Sequence, residues 1–192
     1  MQYISIDLET TGVNPEVCSI LEFGAVIDDL ENPLPLEELP RFHGYIKEPN
    51  NTIIGEYYAL QMNQAIIKKI SKSKLTDNNI YTSDSILHSF MVFLRDNGYH
   101  NTVEKPRISF TPAGKNFDSF DRLFIKKLRN YDLYFDVSHR TLDPGPMYTK
   151  KSDVMVPGLK TCLTRAGINK KVAHNVIDDA LDVIKLIRHK LL

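Results

Sequence analysis

Asp7 and Glu9 stand two residues apart in the run Ile4-Ser5-Ile6-Asp7-Leu8-Glu9-Thr10-Thr11-Gly12. In a strand, residues i and i+2 point to the same face, so both carboxylates aim at one spot. Two adjacent anions repel unless a cation sits between them, and hard Mg²⁺ takes oxygen ligands. Two further groups carry the same kind of side chain. Gly114-Lys115-Asn116-Phe117-Asp118-Ser119-Phe120-Asp121 offers Asp118 and Asp121 where a strand meets a helix, the place where α/β sheets expose functional groups. Asp118 has an ordinary use as a helix cap, whereas Asp121 borders an apolar stripe. His174-Asn175-Val176-Ile177-Asp178-Asp179 opens the last helix. There Asn175 is a good N-cap and Asp178 falls at its third position, as in a capping box, which leaves Asp179 for another role. His139-Arg140-Thr141-Leu142-Asp143 mimics the His-to-Asp pattern but is one residue short, and Pro144-Gly145-Pro146 follows it. No helix is expected to carry it onward.

Apolar periodicity supplies the elements that must position these groups. Strands are expected at 3–8, 20–28 and 42–47, closely enough spaced for an antiparallel meander. Helical spacing begins at Asn63, with Ala65, Ile66, Ile67 and Ile70 recurring. A helix at 84–97 is expected to start at Ser83 or Asp84 and to stop at Asn97-Gly98. Then come a strand at 106–111, a helix at 119–128, a strand at 133–137 and helices at 159–166 and 176–191. The pattern predicts an α/β domain with a mixed sheet, a single domain over 1–192. The stretch 140–158, rich in proline, reads as an insertion-like loop with two uses open to it, shaping a strand channel or making a homodimer contact.

The chain has 24 basic and 24 acidic residues, which argues against a simple polyanion binder. The distribution is uneven: residues 1–48 hold ten acids and two bases, and the rest carries the matching basic surplus. An acidic metal-binding part facing a basic part suits a phosphate-bearing substrate. Cys18 and Cys162 lack metal-ligand spacing and read as buried free thiols in a reducing compartment. No run approaches the ~18 apolar residues of a membrane helix, and the N-terminus lacks a signal-peptide pattern. A cytoplasmic protein with no membrane association is expected.

Taken in order, Asp-x-Glu, Asn…Asp and His-x₄-Asp resemble the motifs of the DEDDh 3′→5′ exonuclease family, and the trailing Asp-Arg-Leu-Phe-Ile resembles its oligoribonuclease branch. The five-residue step from Asn116 selects Asp121 over Asp118, and the five-residue step from His174 selects Asp179 over Asp178. The resemblance implies a ribonuclease H-like fold, a five-stranded mixed sheet with helices on both sides. It implies two Mg²⁺ or Mn²⁺ ions held by Asp7, Glu9, Asp121 and Asp179, with His174 as general base. It implies single-stranded RNA or DNA 3′ ends as substrate, RNA slightly ahead, and nucleoside 5′-monophosphates as product. Thr10 and Thr11 would meet the terminal nucleotide, Tyr58 and Leu60 would wedge against terminal bases, and Asn116 would support its loop or touch the substrate. Lys115, Arg122, Lys126, Lys127 and Arg129 could bind the phosphate backbone. Two other classes compete: a catalytically silent single-strand binding module on the same fold, and a metal phosphoesterase acting on nucleotides.

Overall fold

A computed structural model of the chain describes residues 1–103, 105–168 and 175–192. It opens with β1 (Gln2–Thr10), β2 (Ile20–Asp29) and β3 (Arg41–Ile46), followed by α1 (Tyr57–Met62), α2 (Gln64–Lys72), β4 (Ile80–Tyr81) and α3 (Ile86–Asp96). Then come β5 (Ile108–Phe110), β6 (Pro112–Ala113), α4 (Asp121–Ile125), α5 (Tyr131–Tyr134), β7 (Phe135–Val137), α6 (Pro144–Met147), α7 (Leu159–Arg165) and α8 (Val176–Leu191). The main sheet has five strands in the order β4-β3-β2-β1-β6. β1, β2 and β3 form the expected antiparallel meander, and the two short edge strands pair parallel. The sheet is therefore mixed, as the sequence predicts. β5 and β7 form a separate parallel pair.

Strand alternation divides the core into two layers. Ile4, Ile6 and Leu8 pack with Phe23, Phe42 and Phe90 on the α3 side. Tyr3 and Val26 pack with Ala180, Ile184 and Ile187 of α8 on the other. Asp7 and Glu9 share the phase of Tyr3 and Ser5, so they lie on the α8 face. The helix lies directly on β1 and β2. The Ser5 hydroxyl donates to the Ala180 carbonyl at 2.9 Å, and a Cβ at Gly24 would stand 2.6 Å from the Val176 side chain. Glycine at 24 lets the start of α8 touch the sheet.

Several local expectations are corrected. The helix expected at 119–128 is broken: a short turn over Phe117–Ser119 precedes α4, and Phe120 between them has φ −133° and ψ −77°. Asn116 adopts left-handed backbone, φ 62°, and its carbonyl accepts from both Ser119 and Phe120, which closes a tight turn. The strand expected at 133–137 shrinks to β7 because left-handed Asn130 nucleates α5, its carbonyl accepting from Leu133 and Tyr134. The strand expected at 106–111 yields β5 in one sheet and β6 beyond it in the other. Helix α3 starts after Ser85 rather than Ser83 or Asp84, and Ser85 uses its hydroxyl on the Thr82 turn. Pro144-Gly145-Pro146 does form a helix, the single turn α6, because proline is tolerated at a first helical position and Asp143 caps it by accepting from the Gly145 N–H at 2.7 Å. Residues 57–62, just ahead of the helical spacing that begins at Asn63, form α1. Cys18 and Cys162 are buried free thiols. Among the described residues no helix is long and apolar enough to cross a membrane.

Candidate active site

Three distant segments bring their acids to the C-terminal end of β1. Asp7 and Glu9 come from the strand itself, half-buried on its α8 face. Asp121 is the first residue of α4 and is buried. β6 pairs with β1 only at Ile4 and Ser5, so β1 runs on past the end of its neighbour. There the Leu8 N–H donates to the Asp121 carboxylate, which fastens α4 to the strand. Asp179 lies in the first turn of α8, buried. The Asn175 side chain accepts from the N–H groups of Ile177 and Asp178 at 3.1 and 3.3 Å, the N-cap expected from sequence. This is the positive end of the helix dipole, which favours nearby acids.

The charges report their own proximity. Burial pushes the Asp7 carboxyl well above the usual range, and the negative charges of Asp121, Asp179, Glu9 and Glu22 push it further. Burial pushes Asp121 up to about 8, with Glu9 adding to it, against the hydrogen bonds from its own N–H and that of Leu8. Carboxylates gathered this closely titrate as a group, and crowding and burial both favour the protonated form. A divalent cation relieves the same repulsion, and four carboxylates are the hard oxygen donors that Mg²⁺ and Mn²⁺ accept. The donor set therefore fits such ions. Among the described residues, no group of three or more His, Cys, Asp and Glu side chains is already closed into a metal-holding set, so the fit rests on donor chemistry and convergence. Of the acids set aside on spacing, Asp118 pairs with Arg122 at 2.8 Å and accepts from Thr141 at 2.9 Å, and Asp178 is half-buried in the first turn of α8. His174, the expected base, lies outside the described residues.

The other expected contacts divide. The Thr10 hydroxyl donates to the Gly12 carbonyl at 2.7 Å, and the fully buried Thr11 accepts from the Ser19 N–H at 2.9 Å. Both hydroxyls serve the turn after β1. Asn116 is exposed, gives its N–H to Asp143 at 3.0 Å, and supports its loop. α1 is tied to the site by the Glu56 N–H to the Thr11 carbonyl at 2.7 Å and by the Asn63 amide to the Thr10 carbonyl at 3.0 Å. From that anchored helix Tyr57 and Tyr58 project into solvent, 84% and 73% exposed, while Leu60 is half-buried. Core packing therefore does not explain the two tyrosines. The basic cluster is largely spoken for: Lys115, Arg122, Lys127 and Arg129 face Asp143, Asp118, Glu16 and Asp84.

Sequence reasoning passed over Glu22, which β2 places directly opposite Glu9. Its one signal was a lone acid inside the apolar run Ile20-Leu21-Glu22-Phe23-Gly24-Ala25-Val26.

No protein-family model and no curated protein matches this sequence at a significant level. Solved structures do match. Exonuclease I of E. coli in complex with a dT13 oligonucleotide superposes with a TM-score of 0.64 at 14% identity, over 97% of this chain and 40% of that one. Cell-death related nuclease 4 (CRN-4) gives 0.64 at 16%, over 97% and 62%. A moderately thermophilic Exonuclease I from Methylocaldum szegediense gives 0.59 at 14%, over 98% and 40%. The chain thus spans about 40% of the length of the Exonuclease I proteins and 62% of CRN-4. Likenesses at this identity speak to architecture, and the architecture is the ribonuclease H-like mixed sheet flanked by helices.

Proposed function

We propose that this protein is a metal-dependent 3′→5′ exonuclease that hydrolyses single-stranded nucleic acid to nucleoside 5′-monophosphates. The observation that carries the reading is the convergence of Asp7, Glu9, Asp121 and Asp179, from three segments, on one buried spot at the end of β1. The names of the structural neighbours, exonucleases and a nuclease, support it.

Asp7, Glu9, Asp121 and Asp179 would hold two divalent ions, Mg²⁺ or Mn²⁺. Bound there, such ions supply stabilisation of the attacking and leaving oxygens of a phosphodiester. The protein does the rest. His174, five residues before Asp179, takes the proton of the attacking water, a role suited to an imidazole that titrates near neutral pH. The water oxygen bonds to phosphorus, the bond to the penultimate 3′ oxygen breaks, and that oxygen takes a proton from solvent. The terminal nucleotide leaves as its 5′-monophosphate, and the shortened strand keeps a 3′-hydroxyl. Tyr57 and Tyr58, held at the rim by α1, stack on bases near the 3′ end. Alanine at either should weaken strand binding by about 1–3 kcal/mol, the range for base–aromatic stacking. The spacing of Asn116 and Asp121 favours short RNA, while a neighbour crystallised with dT13 favours DNA.

The test is digestion of 5′- and 3′-labelled single strands of RNA and DNA with Mg²⁺ or Mn²⁺. A ladder from the 5′-labelled strand and immediate labelled mononucleotide from the 3′-labelled one is expected, both abolished by chelator. No shortening of either polymer with either metal would leave the silent binding module as the better reading.

A further inference from the structure

We propose that Glu22 is a fifth carboxylate of the metal centre, held beside Glu9 by His43 and Tyr45, and that it raises cation affinity without itself coordinating. The proposal rests on the metal-dependent reading above.

Glu22 lies opposite Glu9 on one side and opposite Tyr45 on the other, all three on one face of the sheet. Directly opposed side chains stand ~4.5–5.5 Å apart at Cβ, and like charges in that position destabilise a sheet. Glu22 is nonetheless almost fully buried, 2% exposed. Its β3 side is fixed. His43 Nε2 lies 2.6 Å from its Oε1, and the Tyr45 hydroxyl shares the carboxylate, that phenol being pushed up to about 12 by burial first and then by Glu22. Lys69 Nζ stands 4.1 Å from the centre of the Tyr45 ring. In the adjacent row Asp7, Gly24 and His43 follow one another, so His43 is the diagonal neighbour of Glu22 across β2 and β3. On its β1 side Glu22 stands directly opposite Glu9 and is the diagonal neighbour of Asp7.

An oxygen committed to His43 is a poor metal ligand, but its charge still deepens the potential at the four acids. Groups placed this way around a metal site typically change its affinity by about 10–100-fold when removed. The competing use, a tie between β2 and β3, predicts an effect on stability instead.

Mn²⁺ binding, followed by the spectroscopic signal of free Mn²⁺, separates the two. Glu22→Gln keeps the size and still accepts from His43 and Tyr45. It should weaken Mn²⁺ binding about tenfold and leave the melting temperature of the metal-free protein unchanged or higher. His43→Gln, whose amide can still donate to Glu22, should bind Mn²⁺ nearly as well as wild type, and His43→Leu should bind it several-fold more weakly. Unchanged Mn²⁺ affinity in Glu22→Gln, with a lowered melting temperature, would overturn the proposal and leave a structural tie. If the wild type itself takes up no Mn²⁺, the metal reading of the four acids fails as well.

Discussion

The two ends of the β1–β2 ladder, both covered by α8, treat buried acids in opposite ways. At the far end Asp28, fully buried, accepts from the Tyr3 hydroxyl at 2.6 Å and from Arg188 at 3.1 and 2.5 Å. At the near end four acids face one another with Glu22 behind them, and Asp7 and Asp121 are pushed upward in consequence. The same helix supplies Arg188 from its last turn and Asp179 from its first. Where a protein satisfies a buried charge, the arrangement serves the fold; where it gathers like charges, the stability forgone is available to a ligand.

The ends should differ most in their response to pH without metal. Asp121 is raised from 3.8 to about 8 and Asp7 is raised too. A carboxyl raised in the folded state contributes stability that is full below its unfolded value and lost as pH rises through its folded value. Metal-free wild type should therefore lose melting temperature relative to Asp121→Asn as pH climbs from about 4 to about 8, and Mn²⁺ should reverse the trend. A constant difference across that window would break the comparison at its acidic end. Next in size is Arg188→Leu, which takes the counter-charge from buried Asp28 and should cost about 3–5 kcal/mol in urea unfolding. A cost near zero would break the comparison at its paired end. Gly24→Ala pushes a methyl into Val176. It should cost about 1–3 kcal/mol and also cut turnover, because the first turn of α8 carries Asp179; stability lost with full turnover would mean that the helix start does not place the acid. The smallest effect expected is that of Asn175→Ala, about 1 kcal/mol from the lost cap, read as a lowered melting temperature.

The elements with strong apolar periodicity were legible in the sequence. β1, β2, β3 and α2 lie within about two residues of expectation, as pattern-based boundaries usually do, and α8 runs over the expected 176–191 with Asn175 as its cap. The segments that carry the acids were legible too, because each pairs a carboxylate with a strand end or the first turn of a helix. The two-residue strands β4 and β6 were not, since hydrogen-bond partners remote in sequence define them and no local pattern does. The break before Asp121 was hidden in the backbone of Asn116, whose left-handed conformation asparagine tolerates but does not announce. Glu22 was masked by its apolar neighbours. The exposure of Tyr57 and Tyr58 was undecidable without knowing that α1 stands on the turn after β1. His174 is named by the resemblance of its motif and lies outside the described residues.

On the proposed reading Asp179, and not its neighbour, completes the acidic end as a catalytic centre. The direct measurement is shortening of a 5′-labelled single strand in Mn²⁺ by wild type, Asp179→Asn and Asp178→Asn side by side. Stepwise loss from the 3′ end is expected with wild type and Asp178→Asn, and none with Asp179→Asn. Equal laddering by Asp179→Asn, or its loss in Asp178→Asn alone, would contradict it.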